Sequence, residues 1–196
     1  GNNVNVHYTT STDHRSWSTS PIVLRSGLAS DDISSIVAFG GDKVGVFWSD
    51  QNRDEFGFSV HLDSDPATTW SPPEVADAGS SHADDHVNLS CDSQGRVYAI
   101  TKDAHDRMRV HRRAVDGTWT TKTDVLGGVG TRGIIMVADQ DAKVYILYTR
   151  WGVSPFRIEY RVADLEALAF GGETIFISSS ADVNDVTGMK QLLPPG

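Results

Sequence analysis

A strand-like run recurs three times along this chain at a spacing of about 50 residues. Residues 43–48 (KVGVFW) reappear 53 positions later as 96–101 (RVYAIT), and 47 positions after that as 143–148 (KVYILY). Each copy follows a tight turn, and another short apolar run precedes the turn, as in a β-hairpin. Strand repeats of this length indicate a stacked or radial repeat fold, because one unit cannot bury its apolar face alone.

Two further strands complete each unit. A period-two alternation of apolar side chains, typical of half-buried strands, is found at 4–8, 56–60, 108–110 and 158–162. A fourth, short apolar run ends each unit, at 22–24, 74–75, 124–125 and 174–177. An amphipathic helical stripe is missing from the sequence, and only residues 164–169 suggest a single helical turn.

Four antiparallel strands in about 50 residues are the blade of a β-propeller. The sequence therefore predicts an all-β propeller with a partial blade at 1–30, full blades at about 31–80, 81–130 and 131–180, and a partial blade at 181–196. Residues 189–192 are expected to form an innermost strand of that last blade. Sandwich and jelly-roll folds are the alternatives, but neither predicts a repeat of this length.

The two partial blades together supply three of the four strands of one blade. Three arrangements follow: a fragment of a longer propeller, a homodimer in which two copies close one ring, or a small self-closed ring. Unpaired blade edges invite association with another chain. We therefore expect either a larger parent chain or an oligomer.

The repeat also carries an aromatic residue in phase, at Trp17, Trp70, Trp119 and Phe170. Residues 63–70 (DSDPATTW) resemble the Asp-box, Ser-x-Asp-x-Gly-x-Thr-Trp, of sialidase-like (BNR-repeat) propellers, and 11–17 (STDHRSW) and 115–119 (VDGTW) are shorter copies. The resemblance implies a propeller in which the box is a structural turn, away from the active face.

The chain also resembles propeller regions of large secreted bacterial proteins, which implies an extracellular location. Residues 84–88 (DDHVN) are the most recognisable stretch. They are similar to the Asp-x-His-Asn openings of BNR-type polysaccharide lyase propellers.

Composition excludes some partners. The net charge of −9 disfavours nucleic acid, because a surface that tracks phosphates is normally basic. A membrane is not an expected partner, since no apolar run approaches the ~20 residues of a membrane-spanning helix. The single cysteine, Cys91, lies in an apolar run and is expected to be a buried, inert thiol.

Blade geometry predicts where a ligand would bind. The starts of the innermost strands and the loops between second and third strands share one face of a propeller, and such loops usually carry the binding groups. We expect that face to bind carbohydrate, with Trp151 stacking on a sugar ring. The candidate ligand-binding residues are Asp32, Asp85, His86, Asn88, Arg132, Arg150, Trp151 and Lys190.

Catalysis is the alternative, and its candidate residues are His86, Asp85, Asp32 and Arg132. A lyase would need a base beside an acidic C–H bond together with a cation for the uronate. A glycosidase would use two carboxylates. The arginine triad and the Tyr–Glu pair of a sialidase are not complete in this sequence. Glu159 and Tyr160 cannot form the Tyr–Glu pair, because adjacent strand residues face opposite ways.

No cofactor is predicted. No metal site is expected, because no acidic turn has the spacing of a calcium loop. Calcium bound at an acidic turn is kept as an alternative. The sequence thus favours an extracellular carbohydrate-binding propeller, part of or related to a larger glycan-handling protein. A glycan-active lyase or hydrolase and a protein-interaction scaffold are the alternatives.

Overall fold

The computed structural model describes residues 4–126, 130–184 and 186–190, which form antiparallel strands joined by turns. A 3-10 turn spans Asp139–Asp141. In these residues no helix has the length and apolarity needed to cross a membrane. The strands are β1 (Val4–Tyr8), β2 (Ile22–Leu28), β3 (Ser34–Phe39), β4 (Lys43–Asp50), β5 (Glu55–Leu62), β6 (Glu74–Ala78), β7 (Val87–Cys91), β8 (Val97–Lys102), β9 (Met108–Arg113), β10 (Trp119–Leu126), β11 (Gly130–Ala138), β12 (Lys143–Arg150), β13 (Phe156–Asp164) and β14 (Thr174–Ser179).

These strands make four sheets in sequence order. Sheet A holds β1 and β2, sheet B β3 to β6, sheet C β7 to β10, and sheet D β11 to β14. The first strand of sheet C packs between the first strands of sheets B and D, so β3 and β11 both flank β7. Sheets that meet at their first strands and diverge outward are the blades of a propeller, which confirms the predicted fold class.

Alternating side chains fill the spaces between the sheets. On β4, Val46 and Trp48 face sheet A, whereas Phe47 faces sheet C. On β12, Val144, Ile146 and Tyr148 face sheet C and are fully buried. The second strand of a blade is therefore buried on both of its faces, which explains the near-continuous apolar runs in these strands.

The predicted strands are found, and several are longer than the apolar runs that indicated them, as β2 (Ile22–Leu28) is against the predicted 22–24. The fourth strand of sheet C begins at Trp119, earlier than the expected 124–125, because Trp119 to Lys122 pair in register with β9. The innermost strand expected at 189–192 is not observed at Met189 and Lys190, which are irregular. Gln191 and Leu192 lie outside the described residues. Cys91 is buried as expected, and burial raises the pKa of its thiol.

The in-phase aromatic residues serve the contacts between sheets. Trp119 packs against Phe47 and Phe58 of sheet B, with ring centroids 5.7 and 5.4 Å away. Its indole N–H donates to Glu74 on β6 at 2.8 Å. Trp70 contacts Tyr8 of sheet A, with ring centroids 5.2 Å apart. Each of these two tryptophans thus packs its own sheet against the preceding sheet.

A buried histidine also lies at the contact between sheets B and C. His111 on β9 is fully buried, and its two ring nitrogens lie 2.8 Å from Thr101 Oγ1 and 3.1 Å from Thr121 Oγ1. The Thr121 hydroxyl donates onward to the Ala76 carbonyl of β6 at 3.2 Å. Burial lowers the pKa of His111 from 6.5 to about 4, with Asp77 opposing this shift and Arg109 and His82 adding to it.

This pKa shift predicts an acid sensitivity. A depressed folded-state pKa means that the unfolded chain binds the proton more readily, so His111 contributes full stability above pH 6.5 and loses it as the pH falls to about 4. The loss from this group should be about 3 kcal/mol. Between pH 7 and pH 4, the His111→Gln variant should lose about 3 kcal/mol less unfolding free energy than the wild type, as measured by urea unfolding. An unchanged pH dependence would contradict the assignment.

Candidate functional site

The face predicted to bind a ligand, called the mouth below, is the one on which the inner strands β3, β7 and β11 begin. Loops between second and third strands hydrogen-bond to the segments that enter the inner strands, because both end on the same face of the propeller. Lys102 N–H donates to the His86 carbonyl at 3.2 Å, and Ala104 N–H donates to the Ser81 carbonyl at 3.2 Å. Ser49 N–H makes the corresponding bond to Ile33 in sheet B at 3.0 Å.

An Asp-Asp-His cluster enters β7 at this mouth. His86 Nδ1 is in direct contact with Asp85 Oδ1, and the Asp85 N–H donates to Asp84 Oδ1 at 2.7 Å. The Lys102 ammonium lies 2.9 Å from Asp84, 3.3 Å from Asp106 and 3.8 Å from Asp85. One lysine therefore serves three carboxylates, and the cluster keeps net negative charge.

Lys102 also helps to keep the Asp84 carboxyl group ionised. Burial alone would raise the pKa of this carboxyl, but hydrogen bonds from Lys102 and from the Asp85 N–H outweigh it and hold the pKa below its ordinary value. Burial likewise works to lower the pKa of Lys102, and Asp84 and Asp106 reverse that effect. Asp84 is thus a fixed anion that orients Lys102, and Asp85 with His86 is the part of the cluster that faces the cavity.

A cavity of about 340 Å³ opens between sheets C and D at the same mouth. It brings together four of the predicted site residues, which come from two different blades and from the loops that precede them. Its polar lining is Asp85, His86, Asn88, Arg132 and Thr187. Ile33, Val87, Ile134 and Val186 supply apolar surface beside these groups. Mixed apolar and hydrogen-bonding walls are typical of pockets for small polar ligands.

Asn88 and Arg132 are positioned by the seam between these sheets. The Asn88 Oδ1 accepts a hydrogen bond from the Ile135 N–H of β11 at 3.1 Å, so its amide group spans from sheet C to sheet D. Arg132 is exposed and has a left-handed backbone, with φ of 52°, beside Gly133. That backbone marks the irregularity in the β11–β12 pairing between Thr131 and Ile134.

The other predicted site residues lie outside this cavity. Asp32 accepts hydrogen bonds from the Ala29 N–H at 2.7 Å and from Gln51, so it shapes its own loop. Lys190 donates to Ser35 Oγ at 2.6 Å, and burial lowers its pKa. Trp151 lies in the loop after β12 and is 61% exposed.

Arg150 belongs to a buried ionic group that sequence reasoning missed. Its guanidinium lies 3.6 Å from Glu159, which is buried, and Arg157 lies 3.9 Å from the same carboxylate. Tyr148 donates to Glu159 at 3.3 Å, and burial raises the pKa of this tyrosine. The signal that could have revealed this group is the pairing of β12 with β13, which places Tyr148 opposite Glu159. This group lies inside the interface between sheets C and D.

Asp84, Asp85 and His86 could each offer one ligand atom to a cation, within 4.8 Å of one another. Lys102 already neutralises part of this cluster. Two carboxylates, one imidazole and an ammonium at the same place do not make the closed ligand set of a structural metal site.

Comparison with solved structures gives the same fold. A GH43 endo-arabinanase from Bacillus licheniformis matches with a TM-score of 0.53 and 15% sequence identity, over 91% of this chain and 74% of that chain. That protein is a five-bladed β-propeller. No family model matches the sequence, and the search of curated proteins found no match. At this identity the likeness concerns the fold alone.

Proposed function

We propose that the chain is an extracellular propeller that binds carbohydrate in the cavity between sheets C and D. The observation that carries the proposal is the convergence of Asp85, His86, Asn88 and Arg132 on one cavity at the mouth. Carboxylate, amide and guanidinium groups are the usual partners of sugar hydroxyls, and the apolar wall suits the C–H face of a sugar ring.

Two further points support a glycan ligand, and a third supports the extracellular location. A solved protein that shares this fold is an endo-arabinanase. The turns at Asp13 and Asp116 resemble Asp-boxes of sialidase-like propellers, and Asp13 accepts hydrogen bonds from the Arg15 and Ser16 N–H groups as a structural turn would. Such propellers are common in secreted glycan-handling proteins, which is the basis for the extracellular assignment.

A glycan-active enzyme is the second candidate, and the Asp85–His86 contact is the observation that favours it. An aspartate in contact with one imidazole nitrogen leaves the other nitrogen to accept a proton from a substrate. Arg132 on the same cavity would neutralise a uronate during a lyase reaction. A hydrolase would use the carboxylates instead. Asp32 hydrogen-bonds within its own loop, and Asp84 is ion-paired with Lys102, so neither is placed as the second catalytic carboxylate beside Asp85.

Affinity electrophoresis and calorimetry with arabinan, galactan and polygalacturonate test the binding proposal. We expect at least one of these polysaccharides to retard the protein. Arg132→Ala should weaken binding by about 10- to 100-fold, because it removes a charged hydrogen-bond donor. Lys122→Ala is the matched control, since it removes an exposed cation from β10, away from the cavity. Equal binding by both variants would contradict the proposal.

The same samples separate binding from catalysis and test the tryptophan. Turnover would appear as new reducing ends, or as ultraviolet absorbance of an unsaturated product for a lyase. Activity that disappears in His86→Ala while binding persists would establish the enzyme. Trp151→Ala tests whether the exposed indole stacks on the sugar, and unchanged affinity would remove Trp151 from the site.

A further inference from the structure

A second cavity, called the far cavity below, opens between sheets B and C on the face opposite the mouth. Its volume is about 450 Å³, against about 340 Å³ for the cavity at the mouth. All of its lining residues lie within 39–115. The far cavity is therefore built without the residues at either end of the sequence.

Turns of both sheets meet at the far cavity. The loop after β5 contributes Asp65 and Trp70, and the turn after β7 contributes Gln94 and Gly95. The backbone of Gly95 has a φ of 83°, and a Cβ atom added there would lie 3.2 Å from the Cα atom of Gly40. The turns that follow the first strands of sheets B and C therefore pack backbone against backbone, which fixes the two walls relative to each other.

Two side chains that line the far cavity are held in place by the protein. Trp70 is half-buried, and its ring centroid lies 5.2 Å from that of Tyr8 and 5.4 Å from that of His61. Arg113 is buried, and it donates to both carboxylate oxygens of Glu74, at 2.8 and 2.7 Å. These walls are in place before a ligand arrives, which lowers the ordering cost of binding.

Asp65 differs from the aspartates at the corresponding turns of the neighbouring sheets. Asp13 accepts two N–H groups of its own turn at 2.8 and 2.7 Å, and Asp116 accepts one at 2.9 Å. The half-buried Asp65 carboxylate has no hydrogen-bond or ion-pair partner within the part of the chain that the structure describes. Its oxygens are thus not occupied by protein donors.

The backbone explains why the Asp65 carboxylate is not needed to close its turn. The Asp65 N–H donates to the Leu62 carbonyl at 2.9 Å, and the Thr69 N–H donates to the Pro66 carbonyl at 2.8 Å. These two bonds close the loop after β5 without a side-chain acceptor. Because Asp65 also lines the far cavity, its oxygens are available to a ligand there.

The charges around the far cavity favour a neutral ligand with hydroxyl groups. The two cations that line it already have partners, since Lys43 lies 2.6 Å from Asp42 and Arg113 is paired as described above. Neither cation is therefore left to balance Asp65. An unbalanced carboxylate repels an anion, and it accepts hydrogen bonds from hydroxyl groups.

We propose that the far cavity binds a neutral sugar ring. Asp65 accepts hydrogen bonds from the ring hydroxyls, and the side chains of Thr69 and Gln94 supply further hydrogen-bonding groups. Trp70 and Val115 supply the apolar surface on which the C–H face of the ring packs. This combination of an apolar wall with a few polar groups is typical of small-molecule sites.

The far cavity and the mouth are separate sites. Lys43 at the far cavity and Asp50 at the mouth are the two ends of β4, and eight strand residues span roughly 25 Å. One disaccharide therefore cannot occupy both sites. Together with the sugar site at the mouth, and to that extent resting on the function proposed above, the far cavity would let one copy hold two segments of polysaccharide.

Amide chemical-shift mapping by NMR tests where a sugar binds. We expect cellobiose, galactobiose or arabinobiose to shift the amide signals of Gly95 and Val115, with a dissociation constant in the millimolar range. Shifts at His86 and Ile135 alone would overturn the far site and leave the proposal for the mouth standing. Shifts at Gly95 and Val115 alone would support the far site and count against sugar at the mouth. An unchanged spectrum with all three sugars would overturn the far site.

Two aspartates of the loop after β5 supply the variants. Asp65→Ala should weaken binding at the far cavity by about 10-fold, because it removes a charged hydrogen-bond acceptor. It should unfold at the wild-type urea concentration, since this carboxylate has no partner within the described chain. Asp63→Ala is the matched control, because Asp63 is exposed and does not line the far cavity. Equal affinity of the two variants would contradict the proposed site.

Discussion

Asp92→Ala is expected to lower the free energy of unfolding by about 3–5 kcal/mol. Asp92 is buried in the turn between β7 and β8. Its Oδ1 accepts the N–H groups of Gln94 and Arg96 at 3.1 and 2.9 Å, and its Oδ2 accepts from the Arg96 Nε at 2.5 Å and the Tyr98 hydroxyl at 2.9 Å. Alanine would leave these donors, including a buried guanidinium and a buried phenol, without their acceptor.

Urea unfolding followed by tryptophan fluorescence measures this loss, and an aspartate in a neighbouring turn provides the control. Asp116 accepts one N–H, from Thr118 at 2.9 Å, in the exposed turn between β9 and β10. Asp116→Ala should cost much less stability than Asp92→Ala, because water can solvate the freed N–H. Similar losses for the two variants would show that burial of the Asp92 hydrogen bonds is not what stabilises the fold.

Arg109→Leu should cost a similar amount, about 3–5 kcal/mol, for a different reason. The Arg109 guanidinium is 5% exposed and bridges two blades, with Asp77 of β6 at 2.8 Å and Asp103 at 3.4 Å. Leucine keeps most of the apolar stem but leaves two carboxylates at the interface without this cation. His82 and Arg107 remain near them and would compensate only in part.

An exposed ion pair is the control for this second experiment. Lys143 is in direct contact with Asp164, and the two side chains are 40% and 67% exposed. Lys143→Leu should leave the urea midpoint close to the wild-type value, because solvent already screens this pair. Arg109→Leu that unfolds at the wild-type urea concentration would contradict the structural role of the Asp77–Arg109–Asp103 bridge.

Much of the fold could be predicted because a repeat exposes its own period. The second strands are recognisable by their Lys or Arg start and their continuous apolar run, and the third strands by alternation. The strand ends were harder. Trp119 belongs to β10 because it pairs with Arg113, and this pairing across a turn leaves no mark in local alternation.

The candidate site was predictable in its location but not in its membership. The blade phase was enough to bring Asp85, His86, Asn88 and Arg132 to one cavity. It was not enough to separate Asp32, whose carboxylate caps backbone N–H groups in its own loop, from Asp85. Lys102 is not among the predicted site residues, because only the three-dimensional structure shows that its ammonium reaches carboxylates on two loops.

The hydrogen bond from Ile135 to Asn88 has a mechanical consequence. The seam it crosses is the one that the mouth cavity opens, so a pull that shears sheet D away from sheet C must break this bond early. A ligand that fills the cavity would contact both sides of the same seam and act as a clasp. Occupancy at the mouth would then raise the force at which the two blades separate, without any change in the core behind them.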